Sequence, residues 1–228
     1  MDIIQDIIKD KNDFASLADK LYDSLLRDIL LGKYGPRGSR LSENTVCTDH
    51  NVSRTPVREA FRRLETEGIL EYIPNRGEFI RGFTEEEIND LFEMTFSLSA
   101  MAIRLAVERI TEEEEQLLAD LFKHMEFYTK KGDVQKMMNF DLAFHRLIFK
   151  AAHDEPLYRT LSSFETYLRY SCPPNYFEKN YSARVLEEHR KIYQALVRKD
   201  SGAAVRAMQS YIDGSARRSG RVLSSLQV

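Results

Sequence analysis

The sequence predicts a mainly α-helical protein, with an N-terminal winged helix-turn-helix followed by a C-terminal antiparallel helical bundle. Three observations support this fold class. Apolar residues recur at helical spacing over most of the chain. Strand patterns are confined to residues 69–81, where two short runs flank a turn. After that hairpin, two capping-box signatures, Thr84 with Glu87 and Thr111 with Glu114, each open a long helical pattern.

Composition limits the class of protein. The chain has 228 residues, 43% of them apolar, which is enough for one or two domains with their own cores. The net charge is only −3, so any surface for nucleic acid must be local. Cys47 and Cys172 stand far apart without metal-ligand spacing, which suits a reducing cytoplasm. Because no apolar run approaches about 18 residues and no signal-peptide pattern is present, we expect a cytoplasmic protein that does not span a membrane.

The order of these signals divides the chain into three parts. Residues 1–13 are a lead without a clear cap, residues 14–83 carry the winged helix-turn-helix pattern, and residues 84–228 carry the bundle. In the first domain we expect a helix from Ser16 to Gly32 and strands at 69–73 and 78–81. The bundle is expected to contain six helices, which begin at Thr84, Thr111, Asp133, Pro156, Ser182 and Ser201, with a break at Cys172-Pro173-Pro174.

The stretch 42–68 has the pattern of a helix-turn-helix. Ser42 and Ser53 are suited to cap its two helices. The second helix turns four apolar residues toward the core: Val57, Ala60, Phe61 and Leu64. Thr55, Arg58 and Arg62 fall outside that face, and Arg54 lies in the first turn. Because a guanidinium there can bind the O6 and N7 of guanine or a phosphate, this helix is predicted to enter the major groove of DNA.

Two basic positions leave alternatives open. Arg62 and its neighbour Arg63 either face DNA or pair with glutamates three or four residues away on a solvated face. Arg76 lies at the tip of the hairpin, where it either reaches a phosphate or the minor groove or is simply an exposed turn residue.

Three helices of the predicted bundle turn polar groups inward. Asp141 and His145 lie four residues apart at the edge of one apolar face, and His189 and Tyr211 are each centred on another. Asp with two His is a set that a divalent metal accepts. The alternative is a hydrogen-bonded Asp-His pair beside a satisfied core histidine.

Thr95 and Ser99 fall on the inward face of the first long helix of the bundle. Small hydroxyls on a core face either line a cavity or bond back to the carbonyls of their own helix. Both interpretations stay open at this point.

Several of these motifs match the pattern of a known family. The N-terminal half resembles the DNA-binding half of GntR-family transcription regulators over about residues 14–82; the motifs are Leu41-Ser42-Glu43, Val52 to Ala60, Leu64, Glu67-Gly68 and Asn75-Arg76-Gly77. The rest resembles the FadR-type ligand-binding domain (FCD) of that family; the motifs are Asn139-Phe140-Asp141-x-x-x-His145, Glu188-His189-Arg190-x-Ile192-x-x-Ala195-Leu196 and Asp200-x-x-x-Ala204.

The resemblance implies a homodimeric bacterial regulator of transcription. Such a protein binds a short pseudo-palindromic operator in double-stranded DNA and responds to a small metabolite held in the helical domain, which also dimerises. Arg54 and Arg58 match positions that contact DNA, whereas Asn44 stands where many members have arginine. The predicted DNA-binding residues are Asn44, Ser53, Arg54, Thr55, Arg58, Arg62, Arg76 and Gly77.

The resemblance also implies a metal site. Many members hold a divalent ion such as Zn, Ni or Mn through one Asp and three His, and Asp141, His145 and His189 match three of these positions. Tyr211 occupies the fourth, and a neutral phenol is a poor ligand. Either water or the effector completes a three-ligand site, or the pocket is metal-free. Thr95 stands where an arginine often pairs with the effector's carboxylate. The predicted effector pocket comprises Thr95, Ser99, Asp141, His145, His189 and Tyr211.

Two other functions compete with that of a ligand-responsive regulator. A helical metal-dependent hydrolase could use Asp141, His145 and His189 to activate water, although no general base or nucleophile motif accompanies them. A constitutive DNA-binding protein would have a filled core and no effector. We expect the regulator, and no enzyme activity.

Overall fold

The computed structural model describes residues 16–171 and 180–220, which form two compact units. The division between the units falls between Ile88 and Asn89. Most described residues are helical, and the only sheet among them is small and belongs to the first unit. The predicted fold class, mainly α with a winged helix-turn-helix before a helical domain, is confirmed.

The first unit consists of three helices and a three-stranded antiparallel sheet with strand order β1-β3-β2. Its elements are α1 (Leu17–Leu30), β1 (Arg40–Leu41), α2 (Glu43–His50), α3 (Arg54–Thr66), β2 (Leu70–Ile73) and β3 (Gly77–Ile80). Helices α1 and α3 pack on each other around Leu25 and Leu64, which have no exposed surface. The unit therefore has the core that a winged helix-turn-helix needs.

Local chemistry explains where these elements begin and end. Ser16 and Asp19 form a capping box at the start of α1, and the Ser42 hydroxyl accepts a hydrogen bond from the Asn44 amide at the start of α2. Asn51 ends α2 in the left-handed conformation, with φ of 51°. The prediction for Ser53 was only half right: it precedes α3, but its side chain makes no capping bond.

The sheet contains one strand that the sequence pattern did not predict. Strand β1 has only two residues, Arg40 opposite Phe79 and Leu41 opposite Glu78, which is too short for an alternating pattern to be visible. The hairpin itself pairs Leu70 with Ile80 and is displaced by one residue at its ends from the predicted strands. Such a displacement is ordinary for strand boundaries.

The second unit is formed by six helices with short connections. They are α4 (Glu85–Arg109), which begins in the first unit, α5 (Glu112–Lys131), α6 (Val134–Ala151), α7 (Glu155–Ser171), α8 (Tyr181–Val197) and α9 (Ser201–Arg218). The predicted starts fall within one residue of the observed ones. The Thr84/Glu87 and Thr111/Glu114 capping boxes are both present, and Asp133 caps α6. The predicted break at residues 172–174 lies outside the described residues, as does most of the 1–13 lead's domain border.

The core of the second unit lies between α5, α6, α8 and α9. Phe144, Leu121 and Met125 are fully buried there, together with Ile192 and Met208. Within residues 16–171 and 180–220, no helix combines the length and the apolarity that crossing a bilayer requires. The polar side chains that interrupt this core on α6, α8 and α9 define the site described next.

Candidate functional site

Helix α3 presents its basic side chains to solvent. Arg54, Thr55, Arg58 and Arg62 are all exposed, and the opposite face of the helix is buried through Val57, Ala60, Phe61 and Leu64. The helical spacing thus places the predicted DNA-binding side chains outward, as expected. Ser53 is likewise exposed in front of the helix.

Two side chains at the start of α2 hold the arginines of α3. The Arg54 guanidinium donates to the Asn44 side-chain oxygen at 3.1 Å, and Arg58 Nε donates to Glu43 Oε1 at 2.9 Å. The hydrogen bond and charge of Glu43 raise the pKa of Arg58. Sequence reasoning missed Glu43 because its partner lies 15 residues away. Both contacts are exposed, so they are weak and exchangeable for contacts to DNA.

Arg62 and Arg63 behave differently from each other. Arg63 pairs with Asp19 of α1 at 2.6 Å, and its guanidinium lies 3.8 Å from the centre of the Tyr22 ring. The alternative that Arg63 pairs with glutamates of its own helix is therefore wrong. Among the described residues, no carboxylate lies within ion-pair distance of Arg62. Arg62 is thus the available member of the two.

The tip of the hairpin carries a second basic position. Arg76 is exposed, with its guanidinium 5.2 Å from the centre of the Phe79 ring. Gly77 has φ of 92°, a conformation that side chains disfavour, and a Cβ there would lie 3.6 Å from the Arg40 guanidinium. The turn therefore brings Arg40 beside the wing, where the sequence pattern had not singled it out.

In the second unit, three polar side chains converge inside the core. Asp141 and His145 lie one turn apart on α6, and His189 comes from α8. Their candidate ligand atoms all lie within 4.8 Å of one another, and none of the three is more than 6% exposed. This triad of Asp141, His145 and His189 is a group that could bind a metal ion.

The bonding of His189 fixes which ring nitrogen faces Asp141. Its Nδ1 lies 2.7 Å from the Val185 carbonyl oxygen, which can only accept, so Nδ1 carries the proton. In a neutral ring Nε2 then presents a lone pair to Asp141 Oδ1, 3.0 Å away and poorly aligned for a hydrogen bond. Two acceptors this close call for a proton or a cation between them. A backbone carbonyl on the far nitrogen is also what usually orients a metal-ligating histidine.

His145 is buried without a hydrogen-bond partner. Neither ring nitrogen has one among the described residues, although buried polar atoms are nearly always bonded. Burial, and then the neighbouring His189, lower the pKa of His145 to about 3, so the ring is a neutral imidazole with a free lone pair. The alternative of a satisfied core histidine is therefore wrong, and the orphaned nitrogens fit the donor set of a metal.

Asp141 remains a carboxylate despite its burial. Burial by itself would raise the pKa of Asp141, but its contact with His189 and the charges of His189, His145 and Arg169 hold that pKa below the ordinary value. The group therefore supplies the negative charge of the triad.

Tyr211 supports the triad as a hydrogen-bond donor. Its hydroxyl donates to Asp141 Oδ1 at 3.2 Å, and its ring stacks on His145 with the two centres 4.2 Å apart. Burial and the Asp141 charge raise the pKa of Tyr211 well above its ordinary value, so the phenol stays neutral. A neutral phenol that points its proton at the carboxylate orients that ligand instead of acting as one.

A cavity of about 100 Å³ opens beside the triad. Of the predicted pocket residues, Thr95, Asp141, His145 and Tyr211 line it. Ser99 and His189 are fully buried and do not, so their assignment to the cavity wall is corrected: His189 lies behind Asp141. Both interpretations of Thr95 hold, because its hydroxyl donates to the Leu91 carbonyl at 2.7 Å while the residue lines the cavity. Ser99 donates to the Thr95 carbonyl.

Comparison with known proteins agrees with this two-part architecture. The sequence profile of the FCD domain matches residues 90–214, and that of bacterial regulatory proteins of the gntR family matches residues 17–80. The chain belongs to the FCD-containing GntR family of transcription regulators. The resemblance read from the motifs is therefore confirmed.

Relatives of this GntR/FCD regulator share its whole length. It is 26% identical over 186 residues to the uncharacterized HTH-type transcriptional regulator YdhC of Bacillus subtilis, which covers 81% of this chain and 83% of YdhC. It is 25% identical over 193 residues to the HTH-type transcriptional repressor RspR of Escherichia coli, covering 85% and 84%. Its fold matches that of E. coli McbR/YncC with a TM-score of 0.75 at 20% identity, covering 91% and 98%.

Three cavity residues of the GntR/FCD regulator were not found from the sequence. They are Glu165 and Arg169 of α7 and Arg218 of α9. Glu165 lies four residues after Leu161 and three before Leu168, so it falls on the apolar stripe of α7, a signal that could have been found. Burial, above all, raises its pKa to about 8, and Arg146 Nε lies 3.5 Å from its Oε2.

Proposed function

We propose that this GntR/FCD protein represses transcription as a homodimer whose grip on operator DNA is set by a small ligand in the helical domain. The observation that carries the proposal is the pair of sites in one chain: an exposed row of arginines on α3 and a buried triad beside a cavity. Repression is suggested by the name of the relative RspR.

Helix α3 would enter the major groove and the wing would lie along the backbone. Arg54 and Arg58 are exposed on that helix in contacts that cost little to exchange, and Arg62 lies on the same exposed side. Asn44, Ser53, Thr55, Arg76 and Gly77 would make or shape the remaining contacts to phosphates and groove edges.

A divalent ion would be held by Asp141, His145 and His189. One carboxylate and two imidazoles suit Zn, Ni or Mn, and the orphaned nitrogens of His145 support the assignment. When bound, the ion supplies positive charge and open coordination positions for an oxygen of the ligand. Tyr211 keeps Asp141 in position by its hydrogen bond.

The cavity beside the triad supports control by a ligand. A constitutive DNA-binding protein would not need a space of about 100 Å³ lined by Asp141, His145 and Tyr211. The ligand would favour one arrangement of the DNA-binding parts over another, and it can change DNA affinity only by its different affinity for the two arrangements. Residues 84–228 would serve as the effector and dimerisation domain, and residues 14–83 as the DNA-binding domain. Such a regulator would act in the cytoplasm.

The direct test is selection of bound duplexes from a random DNA library with the full-length protein. We expect a pseudo-palindromic consensus, whose affinity at fixed salt changes when the protein is stripped of metal with a chelator or given candidate small molecules. A protein that selects no sequence would contradict the proposal. An affinity indifferent to both metal and every candidate would support constitutive binding.

A further inference from the structure

The cavity is bordered by arginines, most of which already have a carboxylate partner. Arg218 donates two hydrogen bonds to Glu188, at 2.8 and 2.9 Å. Arg146 lies 3.5 Å from Glu165, itself a cavity residue. The charges of these two guanidiniums are therefore largely balanced within the protein.

Arg169 differs from both. It lines the cavity from α7, and its Nη2 donates to the neutral side-chain oxygen of Asn139 at 3.3 Å. In the described part of the chain, no carboxylate lies within ion-pair distance of it. Its charge is nevertheless felt inside the site, because it contributes to lowering the pKa of Asp141. A guanidinium has five donors, so most of those on Arg169 remain free to bind a ligand.

The surroundings make this free charge a strong binding group. Phe92, Met138, Phe149 and Leu168 form much of the rest of the cavity wall. Among apolar side chains an ion pair is much stronger than on the surface, and an uncompensated cation there favours an anionic partner. Thr95 adds no charge, and its hydroxyl proton is already given to the Leu91 carbonyl.

We propose that Arg169 binds the carboxylate group of a small organic acid, which would lie in the cavity between α7 and the triad of Asp141, His145 and His189. The proposal rests on the proposed function, since it names the chemical class of the effector and the side chain that selects it. Arg169 is then the specificity residue, because a guanidinium can hold both oxygens of a carboxylate in one plane. The cavity volume of about 100 Å³ restricts the acid to a small one.

The test is a ligand-observed NMR titration of the full-length protein at fixed ionic strength. The probes are acetate, succinate and citrate, with acetamide and succinamide as uncharged counterparts and inorganic phosphate as a competing oxyanion. We expect at least one carboxylate to bind, and its amide to bind about tenfold more weakly or worse. Arg169→Gln should weaken the carboxylate by about the same factor, and Arg169→Lys should lie between because it keeps charge but loses the planar fork.

The matched control is Arg159→Gln on the same helix, where Arg159 is 71% exposed and pairs with Glu155 on the surface. It should bind the carboxylate as wild type does. Equal binding of succinate and succinamide, unchanged affinity in Arg169→Gln, preference for phosphate, or no binding of any carboxylate would each overturn the assignment. Thermal melts establish that each variant is folded, and Arg169→Lys serves if Arg169→Gln is not.

DNA affinity and metal content, measured on the same preparations, separate this proposal from the one on which it rests. Loss of sequence-specific DNA binding in wild type, with carboxylate binding intact, counts against the regulator and leaves Arg169 assigned. Intact DNA binding with indifference of the carboxylate to Arg169 counts against Arg169 alone.

Discussion

At the scale of single residues, the protein keeps its reactive side chains in opposite states. Arg54 and Arg58 are in solvent, held by contacts to Asn44 and Glu43 that water or DNA can replace. His145, in contrast, is buried with no hydrogen-bond partner among the described residues. The arginines wait for a partner at the surface, whereas the histidine needs one to offset its burial.

Removal of the Arg58 guanidinium should weaken DNA binding without affecting the fold. Because the side chain is 58% exposed, Arg58→Ala leaves no cavity, and the loss of a base contact costs about 1–3 kcal/mol of binding free energy. The measurement is affinity for the selected operator at fixed salt. Arg159→Ala, which removes the same charge from an exposed site in the second unit, is the control. Unchanged affinity in Arg58→Ala would show that α3 is not the recognition helix.

The metal prediction belongs to His189. Protein purified without chelator should contain nearly one divalent ion per chain by elemental analysis, and His189→Ala should lose most of it because the triad then keeps only two ligands. His153→Ala, at a histidine that is 46% exposed, should keep its metal. Wild-type protein without metal after growth in metal-supplemented medium would contradict the assignment.

Tyr211 allows a prediction in the opposite direction. Tyr211→His would replace a neutral phenol beside Asp141 by an imidazole, so the ion should be held more tightly when titrated against a competing chelator. Tyr211→Phe removes only the hydroxyl and should cost about 1 kcal/mol of folding free energy. A Tyr211→His variant with weaker metal binding than wild type would mean that the phenol is itself a ligand.

At the scale of elements, the wing and α3 share a pair of acidic side chains. Burial above all, then Glu65, raise the pKa of Glu78 on β3 to about 7, and Glu78 Oε2 is buried with no hydrogen-bond partner that could donate. Two carboxylates can bond only when one carries a proton, so this contact between β3 and α3 exists in the protonated state.

Stability of the winged unit should therefore fall with rising pH. A carboxyl whose pKa is raised on folding stabilises fully below its unfolded value of 4.5, and this contribution is lost as the pH rises through about 7. The melting temperature of wild type relative to Glu78→Gln should thus decrease between pH 5 and 8, as measured by thermal scans. Glu71→Gln, on the exposed neighbouring strand, is the control. Parallel pH profiles for wild type and Glu78→Gln would refute the shared proton.

Helix periodicity was a good guide to elements, but it could not determine pairings between them. The spacing of Val57, Ala60 and Leu64 was sufficient to orient α3. The two-residue strand β1 gave no periodic signal, and Glu43 was overlooked because its contact with Arg58 depends on how α2 and α3 cross. Arg63 also found its partner on another helix, at Asp19.

At the scale of the whole molecule, the proposal requires two copies of the chain. Sedimentation should give twice the 26.5 kDa mass of one chain, and the selected operator should contain two half-sites about one helical turn of DNA apart, since related recognition helices meet the same groove face at that spacing. Lengthening the spacing by about half a turn should abolish tight binding. A monomer that binds a single half-site with full affinity would rule out the dimeric arrangement.

The sequence by itself determined the mainly helical architecture, the winged helix-turn-helix and the outward direction of Arg54 and Arg58, because these follow from periodicity and capping within one element. It also supplied the Asp141, His145 and His189 set. Only the tertiary structure decided that His145 has no hydrogen-bond partner in the described chain, that Tyr211 donates to Asp141, and that Arg169 faces the cavity. These facts depend on distances between α6, α7, α8 and α9, and such distances are set by packing of the whole unit.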